Sequence, residues 1–338
     1  PYTPLFRSPY ADYTASGRAL TFIEDFIHDE VLPRYANTHT ESSGTGLQTT
    51  RLREDARHII RDAVHGDDET CVIFSGSGST GAIDKLIGIL NLRIPADLDR
   101  RYGLAAHIPA EERPVVFVGP FEHHSNELPW RETIADVVVI HEDADGHVDL
   151  GHLDEQLRHY ADRPLKIGSF SAASNVTGIV SNTCAIAHLL HTHGALSFWD
   201  FAAAAPYVDI DMYPECAVHP LAHKDAVFLS PHKFVGGPGT PGVLVVRREL
   251  LRNTVPDVVG GGTAGCLLAE RLSADRSVSV LLLEAGPKDS YPWIHVPLGY
   301  HKTFNNPRVN WMFDSEPEPE LNNRVMYQPR GKVLGGTS

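Results

Sequence analysis

The chain has 338 residues, 42% hydrophobic and 21% charged, which is long enough for a sizeable core and balanced like a globular protein. Its formal net charge of -14 disfavours nucleic acid as a general partner, because phosphate backbones select basic faces. No apolar run approaches the roughly 20 residues that span a bilayer, so no membrane partner is expected. The cysteines, Cys71, Cys184, Cys216 and Cys266, show no CxxC spacing. That pattern suits reduced thiols and a cytoplasmic location, and nothing near Pro1 resembles a signal peptide.

In chain order, Leu52, Ala56, Ile59, Ile60, Ala63 and Val64 keep helical spacing ahead of an apolar strand at 70–75. A second helix carries Ile83, Leu86, Ile87 and Leu90. Strands follow at 114–119, 136–141 and 165–170, then a helix that starts near Ser181 or Asn182 and stops at Gly194. Further strands lie at 194–199, 226–230 and 243–247. Apolar runs without strict alternation fit strands covered on both faces, so residues 1–256 read as one α/β domain with a mostly parallel sheet. After Pro256 the pattern restarts with a glycine turn, a helical stretch and a new apolar strand, which marks 257–338 as a second region.

Lys233 lies just past a buried strand in the glycine-rich segment 230–239, and strand ends of such sheets are where ligands sit. A lysine in a partly dry site has a depressed pKa and can form a Schiff base, although a lone loop lysine is more often merely solvated. Asp200 ends another apolar strand, where a carboxylate can pair with a protonated pyridine nitrogen or simply cap a helix. Residues 74–81 run from a strand through a glycine turn into a helix start, an anion cradle suited to a phosphate. The same segment spells GxGxxG at Gly76, Gly78 and Gly81, but no strand with a terminal acid follows at about 20 residues, so the dinucleotide reading fails. His123 and His124 follow a further strand. One imidazole there can stack on a flat ring; a metal needs three or four convergent ligands, and no others are evident. Asn175 can hydrogen-bond a cofactor oxygen, and it also completes a glycosylation sequon.

These segments, in this order, resemble the class V aminotransferase family, which includes cysteine desulfurases and selenocysteine lyases. The stretches at 12–16 and at Asn37, Thr38 and His39 resemble that family's opening motifs. The resemblance covers residues 1 to about 260. It implies the large domain of a fold-type I pyridoxal-phosphate (PLP) enzyme, with a seven-stranded sheet, usually in a homodimer. Carried over by position, it makes Lys233 the Schiff-base lysine and Asp200 the pyridinium partner, stacks His123 on the ring and sets Asn175 near the ring oxygen. Gly78, Ser79, Thr80 and Ser230 would hold the phosphate with His232 beside them, and Thr263 would reach the phosphate of a partner subunit. One departure stands out: Ala203 occupies a position where many members carry a glutamine.

The tail points elsewhere. Gly260, Gly262 and Gly265 form GxGxxG, and Glu284 ends the next strand at the distance expected of a carboxylate on a ribose hydroxyl. The run 329–338 resembles the flavin signature of glucose-methanol-choline (GMC) oxidoreductases, a resemblance spanning 257–338 and implying a truncated Rossmann-like βαβ fragment. Pro256 interrupts the would-be first strand, and two convincing strands are too few for a flavin domain. FAD binding is therefore expected to be weak or absent. The two resemblances meet at 260–263, which suggests a chimera. Three functions compete: a PLP-dependent lyase or transferase acting on a small amino acid, an FAD-dependent alcohol oxidoreductase, and a catalytically defective cofactor-binding protein.

Overall fold

Continuous apolar runs pair into one sheet of seven strands. The strands are β1 (Thr70–Ser75), β2 (Val115–Val118), β3 (Asp136–Val139), β4 (Lys166–Ser171), β5 (Leu196–Asp200), β6 (Ala226–Leu229) and β7 (Gly242–Arg247), in the order β1-β7-β6-β5-β4-β2-β3. β7 runs antiparallel to both of its neighbours, and the remaining pairs are parallel. This computed structural model describes residues 10–36, 38 and 44–252, and beyond them 291, 300–303, 305–314, 325 and 327–328. The chain divides into two compact units, Pro1–Arg252 and Asn253–Ser338.

Both faces of the sheet are covered, as strands without polar alternation require. Val115 and Phe117 point to one side, where they join Ile186, Leu190 and Trp199. Val116 and Val118 point to the other, where Ile83, Leu86, Trp130 and Phe198 form a second apolar cluster. The helix after β1, α3 (Gly78–Ile89), supplies Ile83, Leu86 and Ile87, all fully buried. Ahead of it lie α1 (Thr21–Phe26) and α2 (Gly44–Ala63), the latter taking in the helical spacing around Ile59.

The expected helix before β5 is α7 (Thr183–Thr192). The Asn182 side chain caps it by accepting from the Ala185 amide at 3.1 Å, and Gly194 closes it at a φ of 66°. Three further α-helices complete the described part of the first unit. The polar stretch after α3 folds as α4 (Ala96–Tyr102), α5 (His124–Arg131) begins inside the histidine motif, and α6 (Leu150–His159) buries only Leu153 and Leu157. The GxGxxG at Gly76 thus leads to α3 and α4 and not to a second strand with a terminal acid.

In the second unit the described residues form a short helix, α8 (Tyr300–Thr303), and a two-stranded antiparallel ribbon of β8 (Phe313–Asp314) and β9 (Tyr327–Gln328). Gly260, Gly262, Thr263, Gly265, Glu284, Cys266 and the run 329–338 lie outside the described residues, as do Asn37 and His39.

Candidate active site

β1, β4, β5 and β6 all end at the same edge of the sheet, and β7 starts there, with the Gly242 amide donating to the Gly76 carbonyl at 3.1 Å. A cavity of about 500 Å³ opens along this edge. It is lined by Gly78, Ser79, Thr80, His123, Asn175, Asp200, Ser230, His232 and Lys233, so the candidate residues of the first unit face one space. Ala202 and Ala203 line it too, leaving an apolar wall where the related family often has an amide side chain.

Gly78 opens α3 with a φ of 60°, in the left-handed region that favours glycine. A Cβ there would come within 2.8 Å of both Ser230 Oγ and His232 Cε1, so only glycine lets these groups close around the helix start. The Ser79 amide donates to Ser230 Oγ at 2.9 Å, and Thr80 Oγ1 donates to Ser125 Oγ at 2.9 Å. Hydroxyls, an imidazole and the first-turn amides of a 12-residue helix make a donor set that fits a phosphate dianion.

Asp200 is 4% exposed and accepts from the Ala202 amide at 2.8 Å. Burial pushes its carboxyl from the ordinary 3.8 up to about 6, against the opposing pull of the Ala202 amide, the Lys233 charge and the Ser79 side chain. Burial also lowers the Lys233 ammonium, while Asp200 and Asp12 act to raise it. His123 caps α5, its Nδ1 accepting from the Ser125 amide at 3.2 Å. Burial lowers the pKa of His123, helped by His124 and Lys233, which favours a neutral, stackable ring. Its ring lies 3.9 Å from that of His124, yet among the described residues no third ligand joins this pair.

Two contributors lie inside motifs that the sequence marks, Glu122 beside His123 and Asp12 in the stretch 12–16, but the motifs alone assign neither a role of its own. Glu122 sits beneath the cavity, its Oε2 accepting from Ser171 Oγ at 2.7 Å and from Asn126 Nδ2 at 2.6 Å. Its Oε1 takes the Ser171 amide at 2.8 Å, and burial raises the carboxyl to about 7. It thereby clamps the end of β4 to the loop that carries His123. Asp12 brings a carboxylate to the cavity from the N-terminal segment. That segment is threaded against the lysine turn: the Gly17 amide donates to the His232 carbonyl at 2.9 Å, and the Gly236 amide to the Arg18 carbonyl at 2.6 Å. Cys71, Cys184 and Cys216 are free thiols, and none of them lines the cavity.

The seven-stranded mixed sheet, with its site at the strand ends, is the large-domain architecture of fold-type I PLP enzymes. The chain belongs to the class V aminotransferase family, whose model matches residues 9–286. The NifS-like protein of Rickettsia africae shares the fold at 20% identity and a TM-score of 0.55, covering 74% of this chain and 61% of its own. The apo cysteine desulfurase of Thermococcus onnurineus does so at 20% identity and 0.57, covering 74% and 56%. A separate likeness joins the chain to GMC oxidoreductases. An alcohol dehydrogenase [acceptor] of Pseudomonas putida is 54% identical over 81 residues, and the mitochondrial choline dehydrogenase of Mus musculus is 47% identical over 88. Each match takes in 24% of this chain, which spans only 15% of the length of those oxidoreductases. Among the described residues no helix is long and apolar enough to cross a membrane.

Proposed function

We propose that the first unit holds PLP through Lys233 and carries out lyase or transferase chemistry on a small amino acid. The observation that carries this reading is the convergence of Lys233, Asp200 and His123 with the Gly78 cradle on one cavity. When bound, the cofactor supplies an electron-accepting ring that stabilises a carbanion at the substrate's α-carbon. The protein's own part follows from its side chains. Lys233 Nζ, whose pKa burial lowers, would be the amine that takes up the cofactor aldehyde. Asp200 would pair with the pyridine nitrogen, keep a proton there and so gain a partner for its buried charge. His123 would cover the ring, Asn175 would face its oxygen, and Ser79, Thr80, Ser230 and His232 would hold the phosphate. The Ala202–Ala203 wall leaves that ring oxygen with one polar side chain fewer.

The same reading takes the working unit as a homodimer in which Thr263 reaches the partner's phosphate. Adding PLP to the purified chain should produce a protein-bound visible absorption band that Lys233→Ala abolishes. A spectrum identical to free PLP in both proteins would overturn the proposal.

The 81-residue likeness to oxidoreductases favours a second reading, a chimera joined near 260–263 whose tail descends from a flavoprotein. In it, Gly260, Gly262, Gly265 and Glu284 descend from FAD contacts without forming a tight site.

A further inference from the structure

At the end of the sheet away from Lys233, a second group of polar side chains surrounds Asp225, the residue just before β6. Asp225 has a side chain only 2% exposed, and each of its oxygens has two neighbours. Oδ2 accepts from the Ser197 amide at 2.7 Å and lies 2.8 Å from His191 Nε2. Oδ1 lies 3.1 Å from an Arg247 guanidinium nitrogen and 3.8 Å from His223 Nε2. The His191 and His223 rings stack with centroids 3.9 Å apart and planes 10° from parallel.

The other nitrogen of His191 decides what this arrangement needs. Nδ1 lies 2.8 Å from the Leu221 carbonyl, which can only accept, so Nδ1 carries a hydrogen. Nε2 then faces a carboxylate with its lone pair unless a cation lies between them. That cation is either a second proton on His191 or a metal ion. The stacked His223 brings a second imidazole to the same carboxylate, so that His191, His223 and Asp225 each offer one ligand atom, all within 4.8 Å of one another. An Nδ1–H fixed on a backbone carbonyl with Nε2 free is the orientation that metal-binding histidines take.

Distances agree with an ion. Ligands on a tetrahedral centre with bonds of roughly 2.0–2.1 Å stand about 3.3 Å apart. The separations that bracket it come from the two Asp225 oxygens, Oδ2 at 2.8 Å from His191 Nε2 and Oδ1 at 3.8 Å from His223 Nε2. Arg247 brings an opposing charge, and it also reaches Glu249 Oε1 at 2.9 Å, so it keeps a carboxylate partner when Asp225 turns to a metal.

We propose that His191, His223 and Asp225 bind one divalent ion of the zinc class, leaving a fourth position for water. Its role is structural. His191 sits in the last turn of α7, and His223 and Asp225 end the long excursion between β5 and β6, so the ion ties both to the sheet. The site is independent of the reading given to Lys233.

The test titrates the full-length, PLP-loaded, metal-free protein with Zn²⁺ by calorimetry and with Co²⁺ by visible absorption. Expected are one equivalent of each ion and the intense bands of tetrahedral Co²⁺. His223→Gln should weaken binding about tenfold or more, as loss of a ligand or its support does, and remove those bands while leaving the PLP spectrum unchanged. His141→Gln, in another stacked histidine pair, should bind like the wild type. Absence of a saturable site in the wild type, unchanged affinity in His223→Gln, or equal loss in His141→Gln would overturn the proposal. His191→Gln replaces His223→Gln if the latter does not fold, with the same expectation.

Discussion

A buried carboxylate is costly to keep charged, and on the proposed reading Asp200 trades stability for chemistry. Its pKa is raised from 3.8 to about 6, so the folded, cofactor-free protein binds a proton more tightly than the unfolded chain does. The sign follows: that contribution favours folding below about pH 3.8 and is lost as pH rises toward about 6. At about 1.4 kcal/mol per unit this amounts to roughly 1–3 kcal/mol. Asp200→Asn should therefore raise the melting temperature of the cofactor-free protein at pH 7.5 by a few degrees, and the gain should vanish near pH 4. With PLP added, the same variant should keep the cofactor yet deprotonate substrate about a hundredfold more slowly, as removal of one preorganised charge does. A variant no more stable than the wild type at pH 7.5, or equally fast with PLP, would show that Asp200 only braces β5. The strand-end position of Asp200 was visible in the sequence because an acid closing an apolar run is conspicuous. Glu122 was not, because its bond to Ser171 joins positions 49 residues apart.

At the scale of elements, the strands were legible and several helices were not, for one physical reason. β2 and β6 are buried on both faces along their whole length, so their sequences are wholly apolar whatever lies around them. α4 buries nothing; only its Gly103 stop at a φ of 61° and the charges of its last turn mark it. α5 contains Pro129, and its first turn is the histidine motif itself, which looks like a loop in sequence. α6 did carry a signal in the Asp149 cap, which accepts from the His152 amide, and in the Leu153–Leu157 spacing. The N-terminal strap could not be foreseen as part of the lysine turn. A Cβ on Gly17 would stand 1.8 Å from the Phe234 carbonyl oxygen. Gly17→Ala should thus push the strap off the turn and weaken PLP retention about tenfold or more, measured by dialysis, since even small displacements spoil a preorganised site. Gly44→Ala, with nothing within 4 Å, should leave retention unchanged. Equal retention in both variants would mean that the strap does not shape the site.

For the whole molecule, the described residues that line the cavity all fall between Asp12 and Lys233. Ending the chain after Thr254 should therefore leave PLP attachment largely intact while weakening dimerisation, as sedimentation would report. Full-length protein should carry no stoichiometric FAD; finding it would promote the oxidoreductase reading. The most direct test of the account uses all seven lysines of the chain at once. Lys224 is the sharpest competitor, because burial lowers its pKa as well, but its Nζ donates to the Asp211 carbonyl and it does not line the cavity. Borohydride reduction of the PLP-loaded protein, followed by peptide mass spectrometry, should fix the cofactor on the peptide containing Lys233 and on no other. Label on Lys224 or any other lysine, or a folded protein without label, would contradict the assignment.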